Sequence, residues 1–149
     1  MKAALLAAAL STSPCDLTPP PGEDWRDEIN PIEAIAPVFP EFAEVVGSRA
    51  ICWVRFDITE AGRTTNFCTR CSVEIDPAPD PALTARAADL AAELLAGASR
   101  SAVRSWRFAP EHSPYHCSRA AFHFLLDDQD PSDLPADPRH QRCREVPIN

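Results

Sequence analysis

The sequence predicts a small α+β domain with a ββαβ order, in which about three strands form an antiparallel sheet with helices packed on one face. Three observations support this prediction. Residues 49–59 alternate between apolar and polar side chains and lead through a glycine turn into a second strand-like segment. A segment with helical spacing follows a proline-rich connector, and residues 119–126 alternate again. The 149 residues are enough for one hydrophobic core.

Charge and proline content limit the classes of function and mark the ends of the domain. The formal net charge is −8, which argues against a nucleic-acid-binding protein because no cationic surplus is available for phosphates. The chain has 16 prolines and only 4 glycines. Prolines are concentrated toward both ends, and we expect residues 18–22 and 127–138 to be extended, poorly packed tails.

The N-terminal residues are typical of a minimal export signal. One lysine precedes the apolar run 3–10, which is much shorter than the roughly 20 residues of a membrane-spanning helix. Pro14 before Cys15 argues against lipidation. Six cysteines favour an oxidising compartment, so we expect an exported, periplasmic protein with no membrane span of its own. The alternative is a frayed N-terminal helix on a cytosolic protein.

These features divide the chain into a central domain and flanking segments. The expected segments are an export signal (1–13), a proline-rich segment (14–36), the domain (37–126) and an acidic, proline-rich tail (127–149). Within the domain, we expect a helical insertion at about residues 76–97.

The first two strands are expected to form a hairpin. Cys52, Val54 and Phe56 lie on one face of the first strand, which is the pattern of a half-buried strand. Gly62 tolerates the positive φ of a turn, and residues 63–72 return as a more polar strand.

A proline-rich connector leads into the main helix. Asp80 is a good N-cap, and Pro81 suits the first helical position. Gly97 is expected to break or bend the helix, and Ser99 to begin a second segment. An apolar stripe has the spacing of a helix face that packs on a sheet, and it consists of Leu83, Ala87, Leu90 and Leu94.

The helix is expected to end at the sequence RSAVRSWRFAP, residues 100–110. The proline pushes the residues before it out of the helical region, so the chain should leave in extended form. A tryptophan at the end of an amphipathic helix usually packs on the sheet. We therefore expect Trp106 to stabilise the fold rather than bind a ligand.

Several short motifs in this order resemble the TonB C-terminal domain family. They are Pro-x-Phe-Pro before the first strand, a Gly-Arg turn followed by Asn, and Trp-Arg-Phe-x-Pro before the last strand. The motif residues are Pro37, Phe39, Pro40, Gly62, Asn66, Trp106, Arg107, Phe108 and Pro110. The resemblance covers residues 37–126 and is interrupted by the helical insertion.

The resemblance implies a binding function. Members of this family capture an extended periplasmic segment of an outer-membrane receptor, whose backbone pairs with the open edge of the small sheet. The implied edge is the last strand, with Ala120, Ala121, Phe122, His123, Phe124 and Leu125. The sequence shows neither the membrane anchor nor the long proline-rich spacer of the family, and Ala36 replaces a receptor-contacting Gln. We therefore expect the binding fold without energy transduction.

The CTRC motif has three interpretations. A redox dithiol prefers a helix N-terminus, whereas Cys68 and Cys71 lie at a strand end. A zinc site would need His112 and His116, which lie far outside the compact spacing of such sites. Structural disulfides are favoured, but the sequence does not determine their pairing. The cysteines available for them are Cys52, Cys68, Cys71, Cys117 and Cys143.

No catalytic constellation stands out in the sequence, so we expect a binding module rather than an enzyme, with no cofactor and no metal. The expected partner is a peptide of an outer-membrane receptor or another envelope protein. Two alternatives remain. One is an assembly protein that dimerises through its edge strand, and the other is a thiol or zinc site at the CTRC motif.

Overall fold

The fold is α+β and is built on a three-stranded antiparallel sheet with the strand order β3-β2-β4. The structure is a computed structural model that describes residues 15–16, 30–112, 114–138 and 142–143, and the predicted export signal lies outside them. The elements in chain order are β1 (Cys15–Asp16), α1 (Glu41–Val45), β2 (Arg49–Ile58), β3 (Thr64–Glu74), α2 (Pro81–Arg104), β4 (Tyr115–Phe124) and β5 (Arg142–Cys143).

The predicted hairpin is formed by β2 and β3, which pair antiparallel. Gly62 in the turn has a φ of +75°. A Cβ at this position would lie 2.3 Å from the carbonyl oxygen of Phe108. Only glycine therefore meets both requirements of the turn, the positive φ and the close approach of another backbone.

A bulge at Asn66 distorts β3. Arg55 pairs with Cys68 whereas Asp57 pairs with Thr65, so one residue of β2 faces two residues of β3. Asn66 has a φ of +55°, which asparagine tolerates better than most residues. Its Nδ2 donates a hydrogen bond to Oδ2 of Asp57 at 2.9 Å. The bulge is therefore held by a local side-chain contact.

The central strand β2 is buried on both faces, whereas the sequence predicts burial of only one. Cys52 packs under α2 as expected. On the other face Ile51 and Trp53 are only 9% and 8% exposed. Leu134 packs against both of them, and Nε1 of Trp53 donates to the carboxylate of Asp137. The C-terminal segment is therefore the second cover of the sheet.

Residues 127–138 pack more closely than a proline-rich tail is expected to. The carboxylate of Asp130 accepts a hydrogen bond from the backbone N–H of Ser132 at 2.9 Å and caps a short 3-10 turn. This bond and the Ser132 hydroxyl hold the pKa of Asp130 below its ordinary value. Pro135 and Pro138 are buried. In addition β1 and β5, which lie in the two predicted flanking segments, pair antiparallel.

The main helix α2 is continuous from Pro81 to Arg104. As predicted, Oδ1 of Asp80 caps it by accepting a hydrogen bond from the N–H of Ala82 at 2.9 Å. The predicted break is wrong, because Gly97 does not interrupt the helix. A single glycine costs a helix about 1 kcal/mol, which the packing of a long helix overcomes.

The face of α2 that contacts the sheet also differs from the prediction. The buried residues of the helix are Ala91, Leu95, Ser99, Ala102 and Val103. Leu83, Leu90 and Leu94, which were expected to lie on the sheet, are exposed. The predicted stripe and the buried stripe both have the spacing of a helix face. They lie on different sides of the helix, because Leu95 is about a third of a turn around the helix axis from Leu83. Small residues dominate the buried stripe, which lets the helix approach the strands closely.

The disulfide between Cys52 and Cys71 joins β2 and β3 at directly opposite positions, separated by 19 residues in the sequence. We expect the double variant Cys52→Ala, Cys71→Ala to lose about 3 kcal/mol of unfolding free energy, because the unfolded chain regains the freedom of this loop. Urea denaturation measures the loss. A loss below about 1 kcal/mol would show that the disulfide contributes little.

Gly97 and Gly62 provide a matched pair of glycine substitutions. Gly97→Ala should raise the free energy of unfolding by about 1 kcal/mol, because a Cβ there meets nothing within 4 Å and alanine favours the helix. Gly62→Ala should lower it, because of the positive φ and the contact with Phe108. Chemical denaturation of both variants checks the signs, and equal signs would contradict the structure.

Candidate peptide-binding edge

The strand β4 lies at one edge of the sheet and pairs with β2. Within the described ranges, no strand pairs with its other side. Alternate N–H and C=O groups of an edge strand point away from the sheet. The strand begins at Tyr115 and ends at Phe124, so the predicted range 119–126 begins and ends too late, and Leu125 lies beyond the strand.

The two faces of β4 have different surroundings. Phe122 and Phe124 pack with the core on the α2 face of the sheet. Ala121 and His123 point to the other face and are exposed. Residues 120–124 contain neither proline nor an acidic or basic side chain apart from the histidine, although natural edge strands usually carry such protection. The edge is therefore open to a further strand.

The segment before α1 runs alongside β4 on the α2 face of the sheet. Nε1 of Trp106 donates to the carbonyl oxygen of Ile35 at 3.0 Å, and its ring lies 5.9 Å from the Phe122 ring between centroids. Further along the segment, the Phe39 ring meets the Phe124 ring edge to face at 5.4 Å. The segment therefore follows the same direction as β4.

This segment exposes three aliphatic side chains at intervals of three residues. Ile32, Ile35 and Val38 are 65%, 62% and 80% exposed. We call these three residues the apolar ridge. Two of them lie near β4. Ile35 accepts a hydrogen bond from Trp106, whose ring contacts Phe122, and Val38 precedes Phe39, whose ring contacts Phe124. Ile32 lies instead beside Arg107, to whose carbonyl oxygen its N–H donates.

The Trp-Arg-Phe motif joins the end of α2 to the hairpin turn and to the segment before α1. The N–H of Phe108 donates to the carbonyl oxygen of Gly62 at 2.9 Å. The N–H of Arg107 donates to Glu33 at 3.1 Å, and the carbonyl oxygen of Arg107 accepts from the N–H of Ile32 at 2.7 Å. The motif therefore holds these three parts of the chain together by backbone contacts.

Trp106 is the centre of an aromatic cluster on the α2 face. Its ring centroid lies 6.3 Å from that of Phe56 and 6.5 Å from that of Phe108, in addition to the contact with Phe122. The other motif residues are spread along the chain. Pro37, Phe39 and Pro40 lie in the segment before α1, Pro110 begins a short 3-10 turn, and Asn66 lies in β3 at the opposite edge.

The CTRC cysteines do not form a dithiol pair. Cys71 is bonded to Cys52 on the α2 face, and Cys68 is also disulfide-bonded but packs on the other face. Residues three apart in a strand point to opposite faces, which explains the separation. The side chains of Cys117 and Cys143, like those of the two histidines of the zinc hypothesis, lie outside the described part. Among the described side chains, no cluster of three metal-binding groups is present.

A polar cleft of about 610 Å³ at the start of β2 was missed by the sequence analysis. There Nη1 of Arg49 donates to the carbonyl oxygen of Gly47 at 3.1 Å and to Asp76 at 3.4 Å, and its Nε lies 3.7 Å from Glu74. Nε2 of Gln129 also donates to Gly47, at 2.9 Å. These residues come from separate parts of the sequence, so no local sequence pattern predicts that their side chains meet. The contacts connect the ends of β2 and β3 to the C-terminal segment.

In the part of the chain that the structure describes, no helix is long and apolar enough to cross a membrane. Comparison with models of protein families gives no match, and comparison with curated proteins gives none either. A functional proposal for this chain therefore depends on its fold and on the geometry of β4.

Trp106→Ala should lower the free energy of unfolding by about 3 kcal/mol, because the ring fills the space between three phenylalanines and its Nε1 holds Ile35. Thermal and urea denaturation measure this loss. Trp106→Phe is the conservative control and should lose less, since most of the ring contacts remain. Unchanged melting of the alanine variant would contradict the packing role.

Proposed function

We propose that this protein is a binding module that captures an extended peptide by strand addition to β4. The observation that carries the proposal is the free side of β4, which pairs with β2 alone among the described strands. Such an edge offers alternate N–H and C=O groups to an extended backbone. The resemblance to the TonB C-terminal domain family favours the same edge, because it implies that the last strand receives the receptor segment.

Of the two edges of the sheet, β4 is the better acceptor. The bulge at Asn66 interrupts the regular ladder of β3, and α2 and β5 both lie against β3. Residues 118–124 of β4 pair with β2 without a register shift. A regular run of this length is enough for a peptide of typical strand length.

The surroundings of β4 suggest what kind of peptide it accepts. Successive side chains of an added strand point to opposite faces of the sheet. On the α2 face they would meet the apolar ridge, and on the other face they would meet the exposed Ala121 and His123. We therefore propose a preference for peptides with apolar side chains at alternate positions.

The partner in this proposal is a periplasmic segment of an outer-membrane receptor or of another envelope protein. An oxidising compartment is compatible with the disulfide between Cys52 and Cys71. The proposal is also supported by the α+β fold with its small three-stranded antiparallel sheet. The proposed activity is binding and includes no catalytic step.

N-methylated peptides test the proposal without altering the protein. N-terminal segments of outer-membrane receptors are titrated by calorimetry, and the best binder is then methylated on alternate backbone nitrogens in two complementary sets. One set should abolish binding and the other should leave it nearly unchanged, because only every second N–H of an added strand bonds to its neighbour.

Amide hydrogen exchange identifies the strand that receives the peptide. Alternate amides of residues 118–124 should exchange more slowly when the peptide is bound, while β3 stays unchanged. Equal sensitivity to both methylation sets, or protection of β3 instead, would contradict the proposal. Protection of β4 that rises with protein concentration without peptide would instead indicate pairing of β4 with itself.

A further inference from the structure

The helix α2 presents to solvent a row of residues with the spacing of a helix–helix interface. The row consists of Leu83, Ala87, Leu90 and Leu94, and we call it the leucine seam. Its members recur at intervals of four, three and four residues. This alternation is the repeat of a coiled coil, in which such residues face a partner helix.

The three leucines of the seam are not covered by any described part of the chain, whereas Ala87 is half-buried and also touches the core under the helix. Leu83, Leu90 and Leu94 are 53%, 44% and 37% exposed. The next seam position is Gly97, where an added Cβ would meet nothing within 4 Å. A helix on the surface of an isolated domain normally turns polar residues to water. Three leucines in register on that surface therefore indicate a partner.

We propose that a second copy of this chain packs on the leucine seam, with the two α2 helices antiparallel about a two-fold axis. In this register Leu83 faces Leu94 of the second copy, and Ala87 faces Leu90 of the second copy. The two-fold axis repeats each of these contacts, so all the leucines of both seams are covered.

The charges beside the seam favour a second copy of this chain as the binding partner. Arg86 and Glu93 are both exposed and lie on the same flank of the seam. In the antiparallel register Arg86 lies beside Glu93 of the second copy, and the symmetry repeats this pair. A parallel arrangement would instead place Arg86 beside Ala91 of the second copy. The pattern of charge is thus self-complementary only when the helices are antiparallel.

Gly97 fits the same register. It would face Asp80 at the start of α2 in the second copy, where the proline-rich connector enters the helix. A residue without a side chain leaves room for that connector. Among the described residues of its own chain, Gly97 has no such neighbour.

The dimer does not depend on the proposed function of β4. α2 packs on β3 and β2, whereas β4 is the edge on the other side of β2. The leucine seam and the β4 edge therefore share no residue, and each is tested by its own variants. If both proposals hold, the dimer presents two peptide-binding edges, which raises the avidity for a partner with two segments.

Sedimentation of the full chain with its disulfides intact tests the dimer over a concentration series up to the solubility limit. The wild type should show a monomer–dimer equilibrium, and Leu90→Glu should be monomeric throughout. Arg86→Glu should weaken dimerisation about tenfold, because two attractive pairs become repulsive. The double variant Arg86→Glu, Glu93→Arg should restore it to within about threefold, since the pairs are only reversed.

Val38→Glu is the matched control, because this residue is also an exposed aliphatic but lies beside β4. Val38→Glu should dimerise with the affinity of the wild type. At concentrations where all the proteins are monomeric, every variant should have the melting temperature of the wild type. A wild type that stays monomeric overturns the proposal. A dimer that persists in Leu90→Glu also overturns it. Loss of the dimer in Val38→Glu overturns it as well, and would indicate that the copies pair through the β4 edge. A double reversal that fails to restore the dimer overturns the antiparallel register.

Discussion

The burial of β2 on both faces is the constraint on which the rest of the structure depends. A strand with Val54 on one face and Trp53 on the other needs a cover on each side to remove both from water. α2 and the segment before α1 cover the first face. The C-terminal segment with Leu134 covers the second face. Residues 30–40 and 127–138 are therefore parts of the domain, although their proline content is typical of tails.

This arrangement separates two surfaces with different kinds of recognition. In the proposed strand addition, the free side of β4 offers backbone groups, which any extended chain can satisfy, and the apolar ridge adds selectivity through side chains. In the proposed dimer, the leucine seam offers side chains alone, and its flanking charges favour a second copy in the antiparallel direction. The two surfaces share no residue, because one belongs to α2 and the other to β4 and the segment before α1.

Local patterns predicted the elements well and their contacts less well. The strand β2, the N-cap Asp80 and the turn at Gly62 were predicted correctly, because each reflects the chemistry of neighbouring residues. The strand of the candidate edge was predicted at residues 119–126, whereas β4 spans Tyr115–Phe124. The leucine stripe was expected on the sheet because of its helical spacing, but the stripe with Ala91 and Leu95 has the same spacing and is the buried one. The cleft around Arg49 joins residues from distant parts of the chain, which no local pattern connects.

By itself the sequence determined the hairpin of β2 and β3, the glycine turn between them and the start of α2, and it identified Trp106 as a packing residue. Caps, glycine turns and alternation act within a few residues, so they can be read without knowledge of the fold. Only the tertiary structure decided that Ala91, Leu95 and Ser99 of α2 face the sheet while Leu83, Leu90 and Leu94 face water. It also decided that Ile51 and Trp53 are covered and that β4 keeps a free side. These outcomes depend on which surfaces meet across the fold, because the close approach of helix and sheet favours small residues over larger, more hydrophobic ones.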